Sequence, residues 1–203
     1  LCIGDLMLDR FVAGDVERIS PEAPIPVFRI SGETKMLGGA GNVARNLSAL
    51  GAFTEFIAAI GDDAAAADVK ELFRAEPAIT PHLILDKDRS TSIKTRFVAA
   101  HQQMMRADRE TVLPLSPEKQ QEVLGLANEA LKSCGVMVLS DYGKGMLTPS
   151  GVEDLIAAAA KAGRPVLVDP IGGNFTRYRG ASLLTPHLPV LAAPTPLPGS
   201  TDA

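Results

Sequence analysis

Two hydrophobic periods alternate along the chain. Leu1-Cys2-Ile3-Gly4-Asp5 is a short apolar run, read as a buried strand that ends in Gly-Asp. Ala40, Val43, Ala44, Leu47 and Leu50 recur at spacings of three and four, which is one face of a helix, and Gly51 closes it as a C-cap residue does. Phe53 to Ile60 is again strand-like. Ala64 to Arg74 has helical period and an acidic start, as the helix dipole favours, and Pro81 to Leu85 is a further short strand. Ser116-Pro117-Glu118 opens a helix to about Lys132 with a Ser N-cap and Pro in the first turn. Gly135 to Leu139 is a buried strand. Thr148-Pro149 starts a helix carrying Val152, Leu155, Ile156 and an alanine run to Ala160, and Gly163-Arg164-Pro165 turns it into the strand Val166 to Pro170. This strand–helix order predicts an α/β fold: a mainly parallel sheet with right-handed crossovers and helices on both faces.

Two stretches break the order. Phe11-Val12-Ala13, Ile25 to Ile30 and Thr34-Lys35-Met36 are short strand-like pieces separated by turn residues, and prolines at 21, 24 and 26 favour edge strands. Thr91 to Val98 alternates polar and apolar residues, as a half-exposed strand does. Residues 11–36 and 91–107 thus resemble each other in character and differ from the strand–helix order around them.

Composition narrows the function classes. The 203 residues carry a net charge of -4 and 4% aromatics, which argues against a nucleic-acid surface built from basic patches and stacking rings. A local cluster of Arg and Lys for phosphate remains compatible with that balance. Cys2 and Cys134 lie in or beside apolar runs and read as two buried free thiols rather than a disulfide. No apolar run approaches the ~20 residues of a membrane span. No basic region precedes an apolar core at the N-terminus, so a cytoplasmic protein is expected. Leu1 already stands inside a strand pattern, from which missing N-terminal residues are expected.

The stretch with most chemical content is Gly38-Gly39-Ala40-Gly41-Asn42-Val43-Ala44. Glycines let backbone approach a ligand closely, and a helix start offers exposed amides to polar or anionic groups. Asn42 both donates and accepts, as recognition of sugar hydroxyls requires. The residues alone equally fit a tight loop before a core helix. Asp5 and Asp9 follow the first strand, where ligands of parallel sheets gather, and the alternative for each is a surface turn carboxylate.

This stretch, followed by Gly51 and Gly61, resembles the first signature of the ribokinase (PfkB) family of sugar kinases, and meets each fixed position of it. The resemblance implies a ribokinase-like fold in which 11–36 and 91–107 form a β lid over the sugar, and a homodimer through that lid. It implies sugar contacts at Asp9, Gly38, Gly39 and Asn42. Gly4-Asp5 to Arg10, Arg18-Ile19-Ser20-Pro21-Glu22-Ala23-Pro24-Ile25-Pro26-Val27 and Gln102 to Asp108 resemble the family's kinases of D-glycero-D-manno-heptose 7-phosphate. Such kinases imply ATP and Mg²⁺, a 1,7-bisphosphate product for lipopolysaccharide core synthesis, and cations for a sugar that already bears phosphate. Lys94, Arg96 and Arg106 are the candidates; the alternative for each is a solvated strand charge. Ser140 to Gly145 resembles the family motif near the phosphate path, which makes Lys144 a nucleotide-phosphate candidate, with a solvated turn lysine as the alternative. Asp169-Pro170, Phe175, Arg177 to Ala181 and Leu183 to Pro186 match as well, and Asp169 joins the nucleotide-side candidates; Ile171 stands where a Lys is expected.

The resemblance ends at Pro186. His187 and Val190 replace an Asn and a Glu that help organise Mg²⁺, and five of the 15 prolines fall between 186 and 198. Residues 1–186 thus read as a partial kinase domain lacking the C-terminal part of the fold, and 187–203 as an irregular tail. No Gly-Ala-Gly-Asp, the family's anion hole and general base, occurs in the sequence. The chain is therefore expected to be an inactive, truncated or frame-shifted fragment. Another PfkB-type sugar kinase, or a non-catalytic sugar-phosphate-binding or dimerising fragment, are the alternative readings.

Overall fold

The structure, a computed structural model, describes residues 1–188. The tail expected at 187–203 therefore lies outside the described residues from 189 on, as does Val190. In chain order the elements are β1 (Cys2–Gly4), β2 (Leu6–Ile19), β3 (Pro26–Gly39), α1 (Ala40–Ala49), β4 (Thr54–Ile60), α2 (Ala64–Arg74), β5 (Ile79–Leu85), β6 (Ser92–Ala99), β7 (Gln102–Arg109), α3 (Pro117–Ala130), β8 (Met137–Ser140), α4 (Pro149–Lys161), β9 (Val166–Asp169) and β10 (Leu183–Leu184).

The buried run Cys2–Gly4 pairs in parallel with β4 on one side and β8 on the other, inside a parallel sheet of order β10-β9-β8-β1-β4-β5. Strand alternation divides the core in two. Ile3, Ile57, Met137, Leu139 and Val168 face α3 and α4, against Val123, Ala127, Val152 and Leu155. Cys2, Phe56, Ala58 and Ile60 face α1 and α2, against Ala40, Ala44, Val69 and Phe73. Burial pushes the Cys2 thiol up to about 12, which leaves it an inert core residue, and neither cysteine is paired. Side-chain caps start three of the helices: Asp63 accepts from Ala66 N, Ser116 from Lys119 N and Thr148 from Gly151 N.

The second sheet has order β3-β2-β6-β7. β2 runs antiparallel to β3 and parallel to β6, and β6 runs antiparallel to β7. The short pieces expected within 11–36 are two continuous strands of 14 residues. Bulges at Ala13/Gly14 and Val16/Arg18 let them stay paired over their length. The sheet spans 6–39 and 92–109, wider than the expected stretches. Pro26 opens the edge strand β3, where its missing N–H removes no ladder bond.

Leu50 departs from the expected helix face. It is the C-cap of α1 and 85% exposed, because Gly51 at φ +88° turns the chain one residue before the apolar stripe could continue. On the α1 side of the parallel sheet, helices cover β1, β4 and β5 only. Val138 and Leu167, with Val43 of α1, line a hollow that no helix among the described residues fills.

A polar tether joins the two sheets. Asp68 of α2 accepts from Arg10 Nη2 at 3.1 Å and from Lys35 Nζ at 2.9 Å, and Arg10 and Lys35 are cross-strand partners. The hydrogen bond from Lys35, and then that from Arg10, hold the Asp68 carboxyl below its ordinary 3.8. A lowered carboxyl stabilises the fold above its unfolded value and loses that contribution as pH falls through the folded value. Asp68→Asn should therefore cost about 1 kcal/mol in urea unfolding at pH 7, the upper range for partly exposed pairs, with the gap to the parent narrowing as the pH falls below 3.8. An unchanged midpoint at pH 7 would refute the tether.

The β6–β7 hairpin turns on Ala100 and His101, both left-handed, at φ 47° and 66°. A two-residue turn of this kind favours Asn-Gly, and a residue with a Cβ is strained there. Replacing Ala100-His101 by Asn-Gly should raise stability by about 1–2 kcal/mol in the same assay, with far-UV circular dichroism unchanged.

Candidate functional site

The carboxyl end of β1 organises the site. Asp5 is buried, and its carboxylate accepts from three amides: Tyr142 N at 2.8 Å, Lys144 N at 3.1 Å and Met146 N at 3.1 Å. Burial pushes this carboxyl up, and the three amides partly offset the push. Its own carbonyl accepts from Ala40 N at 3.0 Å, at the start of α1. The sequence placed Asp5 toward a ligand; its carboxylate is instead occupied by the 142–146 loop. Asp141 completes that loop, accepting from Gly143 N at 2.9 Å and from the buried Tyr178 hydroxyl at 2.8 Å, with the Arg177 guanidinium 3.2 Å away. Gly145 has to be glycine: φ is +94°, and a Cβ would lie 1.9 Å from Leu113 O.

The glycine stretch meets this junction from the other side. Gly39 is the N-cap of α1 at φ 56°, and a Cβ there would lie 2.4 Å from Asp5 O. No side chain caps α1, so its first amides point out without a side-chain acceptor. Asn42 is exposed in the first turn, and its side chain has no hydrogen bond among the described residues. Gly38 serves Asp9: a Cβ at Gly38 would lie 2.2 Å from Asp9 Oδ2.

Register puts the remaining sugar-side candidates on one face of the second sheet. Asp9, Lys94 and Asp108 form one cross-strand row, and Phe11, Arg96 and Arg106 the next. Ion pairs run within and between the rows: Arg96–Asp9 is diagonal, Lys94–Asp108 is directly cross-strand, and Arg106–Asp108 lies along β7. Arg96 Nη1 lies 2.5 Å from Asp9 Oδ1, Arg106 Nε lies 3.0 Å from Asp108 Oδ1, and Lys94 Nζ lies 3.0 Å from Asp108 Oδ2. The Arg96 guanidinium also sits 5.2 Å over the Phe11 ring. Arg96 and Arg106 stand directly opposite each other, an unfavourable like-charge pair that a bound anion would relieve. The hydrogen bond from Lys94, and then those from Arg106, hold the Asp108 carboxyl below its ordinary range.

The nucleotide-side candidates lie apart from this face. Lys144 Nζ reaches Glu110 Oε1 at 2.8 Å, just beyond β7. Asp169 ends β9, with its carboxyl pushed up by burial and by Asp141, against the pull of His187. No hydrogen bond links its side chain to the other candidates among the described residues. Ile171, found where a Lys was expected, lies against Gly143 of the Lys144 loop. Three residues escaped the sequence reading. Asp108 and Glu110 are counter-ions whose only signal was their spacing of two and four residues from Arg106. Tyr142, its phenol pushed up by burial and by the charges of Asp169 and Asp9, stands within electrostatic reach of both groups of candidates.

The arrangement offers a carboxylate for hydroxyls, a helix start, and cations gathered for an anion. In Gly38→Ala the new methyl must push the Asp9 carboxylate off Arg96. Binding of a sugar phosphate to this face should weaken about tenfold, on the order of one charge-assisted hydrogen bond. A variant that binds as tightly as the parent would show that the Asp9–Arg96 geometry is irrelevant to the ligand.

Comparison with known proteins places this geometry in a family. The sequence model of the pfkB family carbohydrate kinases matches residues 1–192. The "Bifunctional protein HldE" of Rhodospirillum rubrum is 51% identical over 202 residues, covering 100% of this chain and 41% of that protein. The chain thus spans about two fifths of the length of that relative. Among solved structures, phosphofructokinase-2 from Escherichia coli in its tetrameric inhibited form has a TM-score of 0.69 at 21% identity, over 95% of this chain and 63% of that one. Arabidopsis thaliana ribokinase complexed with ribose and ATP has a TM-score of 0.61 at 17% identity, over 91% and 58%. With a family match along nearly the whole chain, and an overall fold similar to these structures, this chain belongs to the pfkB family of carbohydrate kinases.

Proposed function

We propose that this chain is the sugar-binding part of an ATP-dependent kinase of D-glycero-β-D-manno-heptose 7-phosphate. The anomeric hydroxyl attacks the γ-phosphorus of ATP, giving the 1,7-bisphosphate and ADP. The observation that carries the reading is the single sheet face on which Asp9 lies beside Lys94, Arg96 and Arg106. A carboxylate suits hydroxyls, and a cluster of cations suits a sugar that already bears a phosphate. Kinship to HldE supports this choice over other pfkB-type sugar kinases.

In this reading Asp9 and Asn42 take sugar hydroxyls, and Gly38 and Gly39 let the sugar approach the backbone. Lys94, Arg96 and Arg106 take the 7-phosphate, while Lys144 and Asp169 lie toward the nucleotide phosphates. Phosphoryl transfer depends on positioning and on charge stabilisation. Among the described residues no three carboxylate, thiol or imidazole groups converge. Mg²⁺ would be held with the nucleotide phosphates, with Asp169 in support, and would neutralise charge on the transferred group.

The second sheet acts as a lid and as a dimer surface. Its outer part leaves Ile19 62%, Ile30 63% and Met105 54% exposed, near the edge-to-face pair Phe28–Phe97. A second copy of the chain covers this patch in the proposed homodimer. No helix among the described residues is long and apolar enough to cross a membrane, and the proposed reaction is a cytoplasmic one.

The Gly-Ala-Gly-Asp segment is absent from these 203 residues, and loss of even one oxyanion donor typically costs ~10²–10³ in rate. The chain alone should thus bind heptose 7-phosphate without turning it over. A longer protein that contains it and supplies that segment should release ADP only when the heptose is present. There, Asp9→Ala and Asn42→Ala should each lower kcat/KM by about tenfold or more. Heptose-dependent ADP release by the 203-residue chain, or unchanged kinetics in both variants, would overturn the assignment.

A further inference from the structure

Glu110 lies between the two groups of candidate cations. It follows β7 directly, and its carboxylate reaches Lys144 Nζ at 2.8 Å and Lys94 Nζ at 3.9 Å. The three side chains are only 20%, 17% and 26% exposed for Lys144, Lys94 and Glu110, so these are not freely solvated pairs. The Lys144 backbone is pinned on both sides. Its N–H donates to Asp5, and its carbonyl accepts from Arg89 Nη1 at 3.4 Å. Arg89 is itself buried and held by Asp86 at 2.9 Å and by Leu113 O at 2.9 Å. Only the Lys144 side chain is free to change partner.

The charges around it nearly cancel. Lys144, Glu110, Lys94, Asp108 and Arg106 form a continuous run of ion pairs, and the Arg96–Asp9 pair stands beside it on the same sheet. An anion entering this run has to displace carboxylates from lysines and arginines. A weak monovalent anion gains too little to do so, whereas a phosphate, with several oxygens and up to two charges, can replace more than one carboxylate contact.

We propose that Glu110 is a selectivity and positioning residue. It holds Lys144 beside the sugar-side cations and must release it to an incoming phosphate group. Glu110 thereby opposes anion binding in general and links occupancy of the sugar-side cations to the position of Lys144. The proposal deepens the kinase reading and rests on it for the identity of the physiological anion, but not for the competition itself.

The test uses pyrophosphate as the probe and the 203-residue chain, titrated by isothermal calorimetry at two salt concentrations. Glu110→Gln keeps the side-chain shape and removes the charge. It should bind pyrophosphate about threefold to fivefold tighter, the range of one partly exposed ion pair, with a steeper loss of affinity in salt. Lys144→Met in the Glu110→Gln background should abolish the gain. Amine labelling of Lys144, read by mass spectrometry, should also speed up in Glu110→Gln while Lys35, held by Asp68, stays unchanged. Equal or weaker pyrophosphate binding in Glu110→Gln, a gain that survives Lys144→Met, or no binding by either form at millimolar probe would overturn the proposal. Tighter pyrophosphate binding together with no preference for heptose 7-phosphate would uphold it and sink the substrate assignment instead.

Discussion

Much of this molecule hangs on one buried carboxylate. Asp5 stands where the central strand of the parallel sheet ends, and three amides of the 142–146 loop close on it. Leaving a buried amide without an acceptor costs about 1–3 kcal/mol, so this single side chain decides whether the loop has a defined shape. The same residue's carbonyl receives the first amide of α1. Gly39 and Gly4 make that close approach possible: a Cβ would lie 2.4 Å from Asp5 O at Gly39, and 2.1 Å from Ser140 O at Gly4. The glycine stretch and the Lys144 loop thus come from chain segments a hundred residues apart and meet at one hydrogen-bonded point.

The second sheet solves a different problem. It has to display cations, and like charges on adjacent strands repel. Its two rows place Asp9 diagonally to Arg96, and Asp108 opposite Lys94 and two residues along β7 from Arg106, so each of these cations has a carboxylate partner. The opposite face anchors the sheet through Arg10, Lys35 and Asp68. Strand alternation turns the neighbouring residues Asp9 and Arg10 to opposite faces, one toward Arg96 and one toward α2.

The parallel sheet is finished on one face and open on part of the other. α3 and α4 cover one side, while Val138 and Leu167 on the α1 side line a hollow that no helix among the described residues fills. Apolar surface of this sort on a sheet face favours association or further packing.

Much of the architecture was legible in the chain itself. Hydrophobic period marks helix and strand wherever one face is buried, so α1 to α4 and the strands of the parallel sheet other than β10 could be read in order. Side-chain caps at Ser116 and Thr148 name helix starts by local chemistry alone. The glycine stretch was recognisable because only glycine tolerates such close backbone approach. Other features depend on residues far apart in sequence. The run from Phe11 to Met36 reads as fragments, since long-range pairing and two bulges, not local preference, make it two continuous strands. Asp5 and Asp9 look alike as strand-end carboxylates. Only the folded chain buries one among amides and leaves the other beside Arg96. The partners of Lys94 and Lys144 were likewise invisible in sequence, because register across β6 and β7 decides which carboxylate stands opposite which cation. Local order and backbone chemistry were thus determined by the sequence itself, and the electrostatic pairing of the site by tertiary structure, since Coulomb interactions act on distances that only the fold defines.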